Sequence, residues 1–172
     1  QPILVLCITE PQYAALLAVN HISATVGSLT WLKTAQGFLE NEHVTTPLAV
    51  HLGLDTGMGR IGFQTPDQLA TAVAYLKTAK QFELEGIFTH FSKADSADTE
   101  YFEQQLKKWR AFMAVGPDRP KYVHVSNTAT SLWHDACNGN LIRFGVGGYG
   151  LNPSGVELEP PFVLHPAMRL ES

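Results

Sequence analysis

The sequence places two arginines and two histidines at or just beyond the ends of predicted strands. They are Arg60, His90, His124 and Arg143, each next to an apolar run of strand length. In an α/β protein the carboxyl ends of parallel strands meet at one edge of the sheet, so we expect these side chains to converge. A guanidinium stays protonated at physiological pH, whereas a neutral imidazole can accept a hydrogen bond from it. The spacing therefore predicts one polar site at that edge.

Arg143 lies in an otherwise apolar stretch, Leu-Ile-Arg-Phe at 141–144. An unpaired guanidinium in a protein interior costs several kcal/mol, so a buried Arg143 needs partners. His90 and His124 are candidates, because each can accept a hydrogen bond when neutral. In the alternative interpretation Arg143 points to solvent and the histidines are ordinary core residues. Because all three side chains fall at corresponding positions along neighbouring strands, we favour a shared functional site over this alternative.

A glycine-rich segment at 145–150, Gly-Val-Gly-Gly-Tyr-Gly, follows the strand that carries Arg143. Glycines let backbone N–H groups approach a bound phosphate with no side chain in the way. Thr128 opens the helix after the preceding strand, where its hydroxyl and the positive end of the helix can add to an anion site. Barrels commonly bind phosphate in the loops after their last strands. The alternative is a tight turn that closes the sheet.

The remaining polar residues suggest no further site. Four histidines lack the spacing of metal ligands, so we predict no metal: His21, His43, His134 and His165. Glu83 and Glu85 are interpreted as an exposed strand edge. The triplet Asp-Thr-Gly at 55–57 also occurs in aspartic proteases, but these need two triplets and an all-β fold, and this chain is rich in helix signals.

Apolar runs of strand length alternate with helix-like segments along the chain. The predicted strands are Ile3–Ile8, Ser23–Val26, Leu48–Leu54, Leu84–Phe91, Tyr122–Val125 and Leu141–Val146. The predicted helices are Pro11–Ala18, Leu29–Leu39, a helix capped by Thr65 with Pro66 at its first position, Thr99–Val115 and Thr128–Trp133. This alternation indicates parallel βαβ units. An open doubly wound sheet and a (β/α) barrel without some of its units both satisfy it.

Composition limits the class of protein. The 172 residues suffice for one domain, and 45% hydrophobic with 16% charged residues is typical of a globular interior. The net charge of -4, without a basic run, argues against nucleic acid or a membrane surface as partner. No apolar stretch approaches the ~20 residues of a membrane span. The two cysteines, Cys7 and Cys137, lie far apart, which favours a reducing, cytoplasmic setting.

Taken in order, four segments resemble the alanine racemases, isomerases that use pyridoxal 5'-phosphate (PLP). The segments are 51–63 (HLGLDTGMGRIGF), 86–95 (GIFTHFSKAD), 124–129 (HVSNTA) and 142–154 (IRFGVGGYGLNPS). The resemblance implies an α/β fold, a partial (β/α)8 TIM-type barrel of about six βα units with parallel strands. Residues 1–165 would hold strands 3 to 8 of the family's barrel, and 166–172 would begin the link to a C-terminal β domain. We therefore expect both ends to lie within a longer protein.

The resemblance also implies a function and roles for the residues that bind the ring. The family interconverts L- and D-alanine through a PLP aldimine, supplies D-alanine for peptidoglycan, and works as a homodimer. Arg143 matches the arginine that faces the pyridine nitrogen of PLP, with His124 hydrogen-bonded to it and His90 nearby. Guanidinium does not release its proton, so the ring nitrogen stays unprotonated.

Other matches concern the phosphate and the substrate. Thr128 matches the family's phosphate-binding serine, and Gly145 and Val146 match its phosphate-binding backbone amides. Asn127, in the same matched segment as Thr128, is counted among the cofactor-binding residues. Arg60 matches the arginine beside the phenolic oxygen of PLP and the substrate carboxylate. The glycines at 57, 59 and 62 would let the chain turn sharply and present Arg60 to the cofactor.

Two departures from the family pattern affect the expected activity. Gly53 stands where the family commonly has a carbamylated lysine, so we hypothesise that a bound anion or another side chain holds Arg60. The chain contains neither the family's Schiff-base lysine motif nor the opposing tyrosine, so it holds no catalytic acid–base residue and is expected to be inactive alone. The alternative function is a PLP-binding barrel for cofactor homeostasis, without strong catalysis.

Overall fold

The computed structural model describes residues 1–118, 120–135 and 139–167 of the chain. Five parallel strands form one sheet: β1 (Ile3–Val5), β2 (Ile22–Val26), β3 (Leu48–Leu54), β4 (Phe82–Thr89) and β5 (Tyr122–His124). Each strand pairs with the next one in the chain, so the spatial order equals the chain order. A doubly wound sheet reverses its order at a switch point, whereas a barrel winds in one direction. The sheet is a curled half-barrel, which confirms the partial TIM-type barrel.

Five α-helices connect or follow the strands: α1 (Ala14–Val19), α2 (Leu29–Asn41), α3 (Pro66–Leu76), α4 (Glu100–Met113) and α5 (Thr128–Trp133). The start of α3 is as predicted, because the Thr65 hydroxyl accepts a hydrogen bond from the backbone N–H of Gln68 and Pro66 occupies the first turn. Asn127 caps α5 in the same way, accepting from the N–H of Thr130. These helices begin where the sequence predicts because their caps are local.

The core lies between the sheet and the helices. Leu69, Val73 and Leu76 form the buried face of α3 and pack there, as do the aromatic and leucine side chains of α4. The strands contribute apolar residues that are almost completely buried, such as Val50 and Leu52 on β3. This packing leaves the carboxyl ends of the strands to carry polar groups.

The sixth predicted strand, Leu141–Val146, is wrong as a strand. Only Arg143 forms a parallel bridge, with Asn127, and its backbone N–H donates to the Ser126 carbonyl at 2.9 Å. β5 ends at His124, and Asn127 is already the N-cap of α5. The segment beside Arg143 therefore turns into a helix, and only Asn127 is available for strand pairing. A short 3-10 helix, Val146–Tyr149, follows directly. Of the predicted link at 166–172, the part from Met168 onward lies outside the described residues. Cys137 also lies outside them.

None of the helices in the described part of the chain is long and apolar enough to span a membrane.

Candidate active site

A cavity of about 310 Å³ opens at the carboxyl ends of β4 and β5. Six of the eight predicted site residues line it: His90, Asn127, Thr128, Arg143, Gly145 and Val146. His124 lies behind the cavity wall, bonded to Arg143, and Arg60 does not line the cavity. The volume falls in the range of ordinary ligand pockets, which starts at about 300 Å³. The convergence of side chains expected at this edge of the sheet is therefore largely present.

Arg143 is half-buried and fixed by three hydrogen bonds. One terminal nitrogen, Nη1, donates to His124 Nδ1 at 2.8 Å and to the His124 carbonyl at 2.6 Å. The other, Nη2, donates to the Thr89 carbonyl at 2.8 Å, and the guanidinium carbon lies 5.4 Å from the Phe88 ring centroid. Burial first, and the charge of Arg60 second, lower the pKa of Arg143 to about 10, so it stays protonated at neutral pH.

The two histidines of the site are neutral. His124 is fully buried and stacks on Phe88 with 4.7 Å between ring centroids. Burial, followed by the charge of Arg143, lowers the pKa of His124 to about 3. Burial and the charges of Arg143 and Arg60 lower the pKa of His90 to about 4. The hydrogen bond expected between His124 and Arg143 is present, while its role in cofactor binding stays a prediction.

The glycine-rich segment folds against the first turn of α5. The Thr128 hydroxyl oxygen accepts the backbone N–H of Gly145 at 3.0 Å and that of Gly147 at 3.4 Å, which leaves its own O–H as a donor. A Cβ atom at Gly147 would lie 2.6 Å from Thr128 Cγ2 and from the Phe144 ring, so only glycine fits. At Gly145 a Cβ would meet no atom within 4 Å, which leaves this backbone open to the cavity.

The loop that carries Arg60 is held by the buried carboxylate of Asp55. This carboxylate accepts the backbone N–H groups of Gly57 and Gly59, each at 3.0 Å, and the side-chain amide of Gln64 at 3.1 Å. Burial alone would raise the pKa of Asp55, but these hydrogen bonds outweigh burial and lower it. Gly57 and Gly59 have positive φ angles of 147° and 70°, conformations that favour glycine. The loop glycines thus provide the sharp turn that the sequence indicates.

Arg60 itself is exposed and makes no hydrogen bond or ion pair with any residue that the structure describes. Its charge still lowers the pKa of His90 and Arg143. The hypothesis that a side chain holds Arg60 thus finds no support among the described residues. At Gly53, the position of the family's lysine, a Cβ atom would lie 3.3 Å from the Phe88 ring. Phe88 therefore occupies space beside residue 53 on the neighbouring strand.

Two residues that the sequence analysis did not assign to the site, His51 and Glu85, extend it into the barrel. His51 Nδ1 lies 2.7 Å from His124 Nε2, and His51 Nε2 lies 3.1 Å from a Glu85 carboxylate oxygen. Glu83 is exposed as predicted, but the side chain of Glu85 is only 13% exposed, so the interpretation of Glu85 as an exposed edge is wrong. A histidine inside an apolar strand was the signal that could have drawn attention to this pair.

Within the described part of the chain, no group of three or more histidine, cysteine or acidic residues could hold a metal ion.

Comparison with known proteins identifies the family. The family model described as "Alanine racemase, N-terminal domain" matches residues 1–153. The chain belongs to the alanine racemase N-terminal domain family. A curated alanine racemase from Lactiplantibacillus plantarum is 61% identical over 171 residues, which cover 99% of this chain and 46% of that protein. The chain thus spans less than half the length of this relative.

Solved structures of racemases have the same fold. An alanine racemase from E. faecalis superposes with a TM-score of 0.90 at 50% identity and covers 97% of this chain and 45% of its own. A histidine racemase from Leuconostoc mesenteroides superposes with the same TM-score at 31% identity and covers 97% of this chain and 45% of its own. The fold of this alanine racemase domain therefore occurs in proteins named for different amino acids.

Proposed function

We propose that the full-length protein is a PLP-dependent alanine racemase, which interconverts L- and D-alanine and supplies D-alanine for peptidoglycan. In this proposal the present chain contributes the residues that hold the ring and phosphate of PLP. Family membership and a 61% identical relative named alanine racemase support the reaction. The observation that carries the proposal is the protonated guanidinium of Arg143, which is fixed at the wall of the cavity.

The donors around the cavity fit PLP. Of the five N–H groups of the Arg143 guanidinium, the described residues accept three, which leaves two for the ring nitrogen of the cofactor. The open backbone at Gly145 and the free O–H of Thr128 suit a phosphate at the other end. The 3-10 helix begins at Val146, so the N–H of Val146 has no carbonyl partner within that helix and can also donate to phosphate.

Arg143 determines how strongly the cofactor ring withdraws electrons. When bound, PLP supplies the electron sink that makes loss of the substrate α-proton possible. Because Arg143 keeps its proton at neutral pH, it leaves the ring nitrogen unprotonated and so keeps the sink weaker than an acidic partner would. A weaker sink favours return of the proton to the same carbon, as racemisation requires, and disfavours transamination.

Arg60 and His90 complete the assignment on the substrate side. We assign Arg60, exposed at the loop after β3, to the substrate carboxylate and the phenolic oxygen of PLP, since its charge, like that of Arg143, lowers the pKa of His90 and also lowers the pKa of Arg143 itself. His90 is a neutral hydrogen-bonding group, and its Nε2 lies 3.4 Å from the Asn127 side-chain amide. The acid–base residues that move the α-proton would come from outside this chain.

The assembly and location are proposals of the same kind. We propose that the full-length protein works as a homodimer in the cytoplasm, because alanine racemases form head-to-tail dimers and the chain has only two cysteines. Alanine is the preferred substrate in this proposal, because the relative with the alanine name is 61% identical and the histidine racemase only 31%.

The test is a chiral assay of the full-length protein with PLP, supplied in turn with L-alanine and L-histidine. We expect D-alanine at a rate well above that of D-histidine. Binding of PLP without racemisation of either amino acid would contradict the proposal and favour the homeostasis function. The 172-residue chain alone, assayed in parallel, is expected to form no D-alanine, because it lacks the lysine and tyrosine that exchange the proton.

A further inference from the structure

A continuous line of hydrogen bonds runs from the cavity through the interior of the half-barrel. It connects Arg143 to His124 at 2.8 Å, His124 to His51 at 2.7 Å, and His51 to Glu85 at 3.1 Å. His124 and His51 are 0% and 2% exposed, so water does not compete for these bonds. A buried polar network is stabilising only when each member has a partner. The line therefore has to be consistent in donors and acceptors from one end to the other.

The guanidinium fixes the direction of every bond in this line. Arg143 can only donate, so His124 Nδ1 has to be the acceptor and carries no proton. Neutral His124 then has its proton on Nε2 and donates it to His51 Nδ1. His51 in turn carries its proton on Nε2 and donates it to the Glu85 carboxylate, which can only accept. Both imidazoles are thus held in the Nε2–H tautomer.

The charges at the two ends of the line are opposite. Burial is the largest influence on His51 and His124 and lowers the pKa of both, so neither ring carries charge at neutral pH. Burial alone would raise the pKa of Glu85, but hydrogen bonds from Lys121, Ser23 and His51 outweigh it and lower this pKa to about 2. The described residues offer Arg143 no direct ion pair. Glu85 is therefore the anion to which Arg143 is connected, through two neutral rings.

Lys121 does not cancel this role of Glu85. It donates to the other carboxylate oxygen at 2.8 Å, but its side chain is 60% exposed, so water screens its charge. The oxygen that faces His51 also accepts the Ser23 hydroxyl at 2.7 Å. The carboxylate is thus held in position from two sides while one oxygen points into the barrel.

Two features of strand β4 are needed for this arrangement. Val50 pairs with Leu84 and His51 pairs with Gly86, so Glu85 is an additional residue, a β-bulge, without a partner on β3. Bulges re-aim a side chain and are frequent next to active sites. At Gly86 a Cβ atom would lie 2.4 Å from His51 Nδ1, so the absence of a side chain there makes room for the imidazole.

We propose that Glu85 is the counter-charge of Arg143, and that His51 and Glu85 act as positioning residues that hold the guanidinium towards the cofactor ring. The direction of the hydrogen bonds follows from the structure alone, whereas the effect on catalysis rests on the function proposed above. Removal of the Glu85 charge should weaken each bond in the line and leave Arg143 less well oriented. The variant Glu85→Gln keeps the shape and an acceptor oxygen, and Glu83→Gln removes an equal, exposed charge two residues away.

The first test is nuclear magnetic resonance of the full-length protein labelled with ¹⁵N-histidine, without PLP, with signals assigned by His51→Gln and His124→Gln. We expect Nδ1 unprotonated and Nε2 protonated in both His51 and His124. In Glu85→Gln the His124 Nε2–H proton should move upfield as its hydrogen bond weakens, and Glu83→Gln should leave it unchanged. The opposite tautomer of either ring, or an equal shift in both variants, would overturn the proposal whether or not the protein is a racemase.

The second test is kinetic. Glu85→Gln should lower kcat for alanine racemisation about tenfold, the lower end of the loss seen when the supporting group behind a metal-bound histidine is removed, with KM for alanine within about twofold. Glu83→Gln should keep both values. If the two variants have the same kcat while the parent enzyme is active, Glu85 does not position Arg143. A parent enzyme without activity would instead contradict the proposed function and leave the spectroscopic test to decide this proposal.

Discussion

Arg143 joins two strand ends as well as facing the cavity. Its acceptors are the carbonyl of Thr89, which ends β4, and the ring and carbonyl of His124, which ends β5. The planar fork of guanidinium serves these three acceptors at once, which a single ammonium group cannot do in the same geometry. The three acceptors around position 143 therefore favour arginine over lysine even without a bound cofactor.

Replacement of Arg143 by lysine should separate charge from geometry. Arg143→Lys keeps a cation but loses part of the hydrogen bonding, and a bond involving a charged group is worth about 1.5–3 kcal/mol. We expect PLP to bind to the full-length protein at least tenfold more weakly, about 1.4 kcal/mol, as measured by titration followed by absorbance. Arg110→Lys, on the exposed surface of α4, is the control and should bind PLP like the parent. Equal affinities in the two variants would argue against ring binding by Arg143.

At the scale of elements, the chain beside the cavity depends on glycines with different surroundings. Gly147 packs against Thr128 and Phe144, whereas a Cβ at Gly148 would meet nothing within 4 Å. The same short 3-10 helix thus offers a crowded and an open position next to each other. This contrast gives matched variants of the proposed phosphate site.

Gly147→Ala should displace the segment that bonds to Thr128, because the new methyl group would overlap Thr128 Cγ2 and the Phe144 ring. We expect weaker binding of inorganic phosphate and of PLP to the full-length protein, by about tenfold, which corresponds to about 1.4 kcal/mol. Gly148→Ala should bind both ligands like the parent. Calorimetric titration measures this difference, and similar binding by the two variants would place the phosphate elsewhere.

Gly86→Ala tests the packing of β4 on β3. The added methyl group would lie 2.4 Å from His51 Nδ1, and overpacking of a buried site typically costs about 1–3 kcal/mol. We expect the free energy of unfolding in urea to fall by that amount. Gly37→Ala on α2, where a Cβ meets no atom within 4 Å, should instead stabilise the protein by about 0.5–1 kcal/mol. A neutral Gly86→Ala would show that His51 is free to move away.

The elements also show which features the sequence could predict. The start of α3 was predictable because Thr65 and Pro66 act on their own turn. The missing sixth strand was not, because the pairing of Arg143 is limited by Asn127, which caps another helix. Glu85 was misassigned for a related reason: its alternation with the exposed Glu83 suggests an equally exposed position, and only the three-dimensional structure reveals the bonds to Ser23, His51 and Lys121 that cover it. The family resemblance was enough to predict most residues that line the cavity. Glu85 reaches the site only through His51, so its place could be found only from the three-dimensional structure.

At the scale of the whole molecule, buried neutral histidines and depressed carboxylates make stability depend on pH. The folded pKa values of His124 and His90 are about 3 and about 4, against 6.5 when exposed. Below about pH 6.5 the unfolded chain therefore binds more protons than the folded protein does. The free energy of unfolding decreases as the pH is lowered through that window. Glu85, lowered from 4.5 to about 2, adds a loss of stability of the same sign as pH falls below 4.5.

We expect the free energy of unfolding of the full-length protein, measured in urea, to decrease steadily from pH 7 to about pH 3. His124→Gln should flatten the upper part of this profile, because it removes a group that only the unfolded chain can protonate. Glu85→Gln should leave the upper part in place and flatten the profile below pH 4.5. Stability that rises on acidification between pH 6.5 and 4 would contradict the assignment of neutral, buried histidines.

In the proposed function, Arg143 holds the ring nitrogen of PLP while the segment at 145–146 and Thr128 hold its phosphate. A crystal structure of the full-length protein with PLP would show these contacts. We predict a guanidinium nitrogen of Arg143 about 3 Å from the ring nitrogen, with the phosphate beside Gly145, where it accepts the N–H of Val146 and the O–H of Thr128. A ring nitrogen that faces a carboxylate, or a phosphate bound away from Thr128, would contradict the proposed function of Arg143 and Thr128.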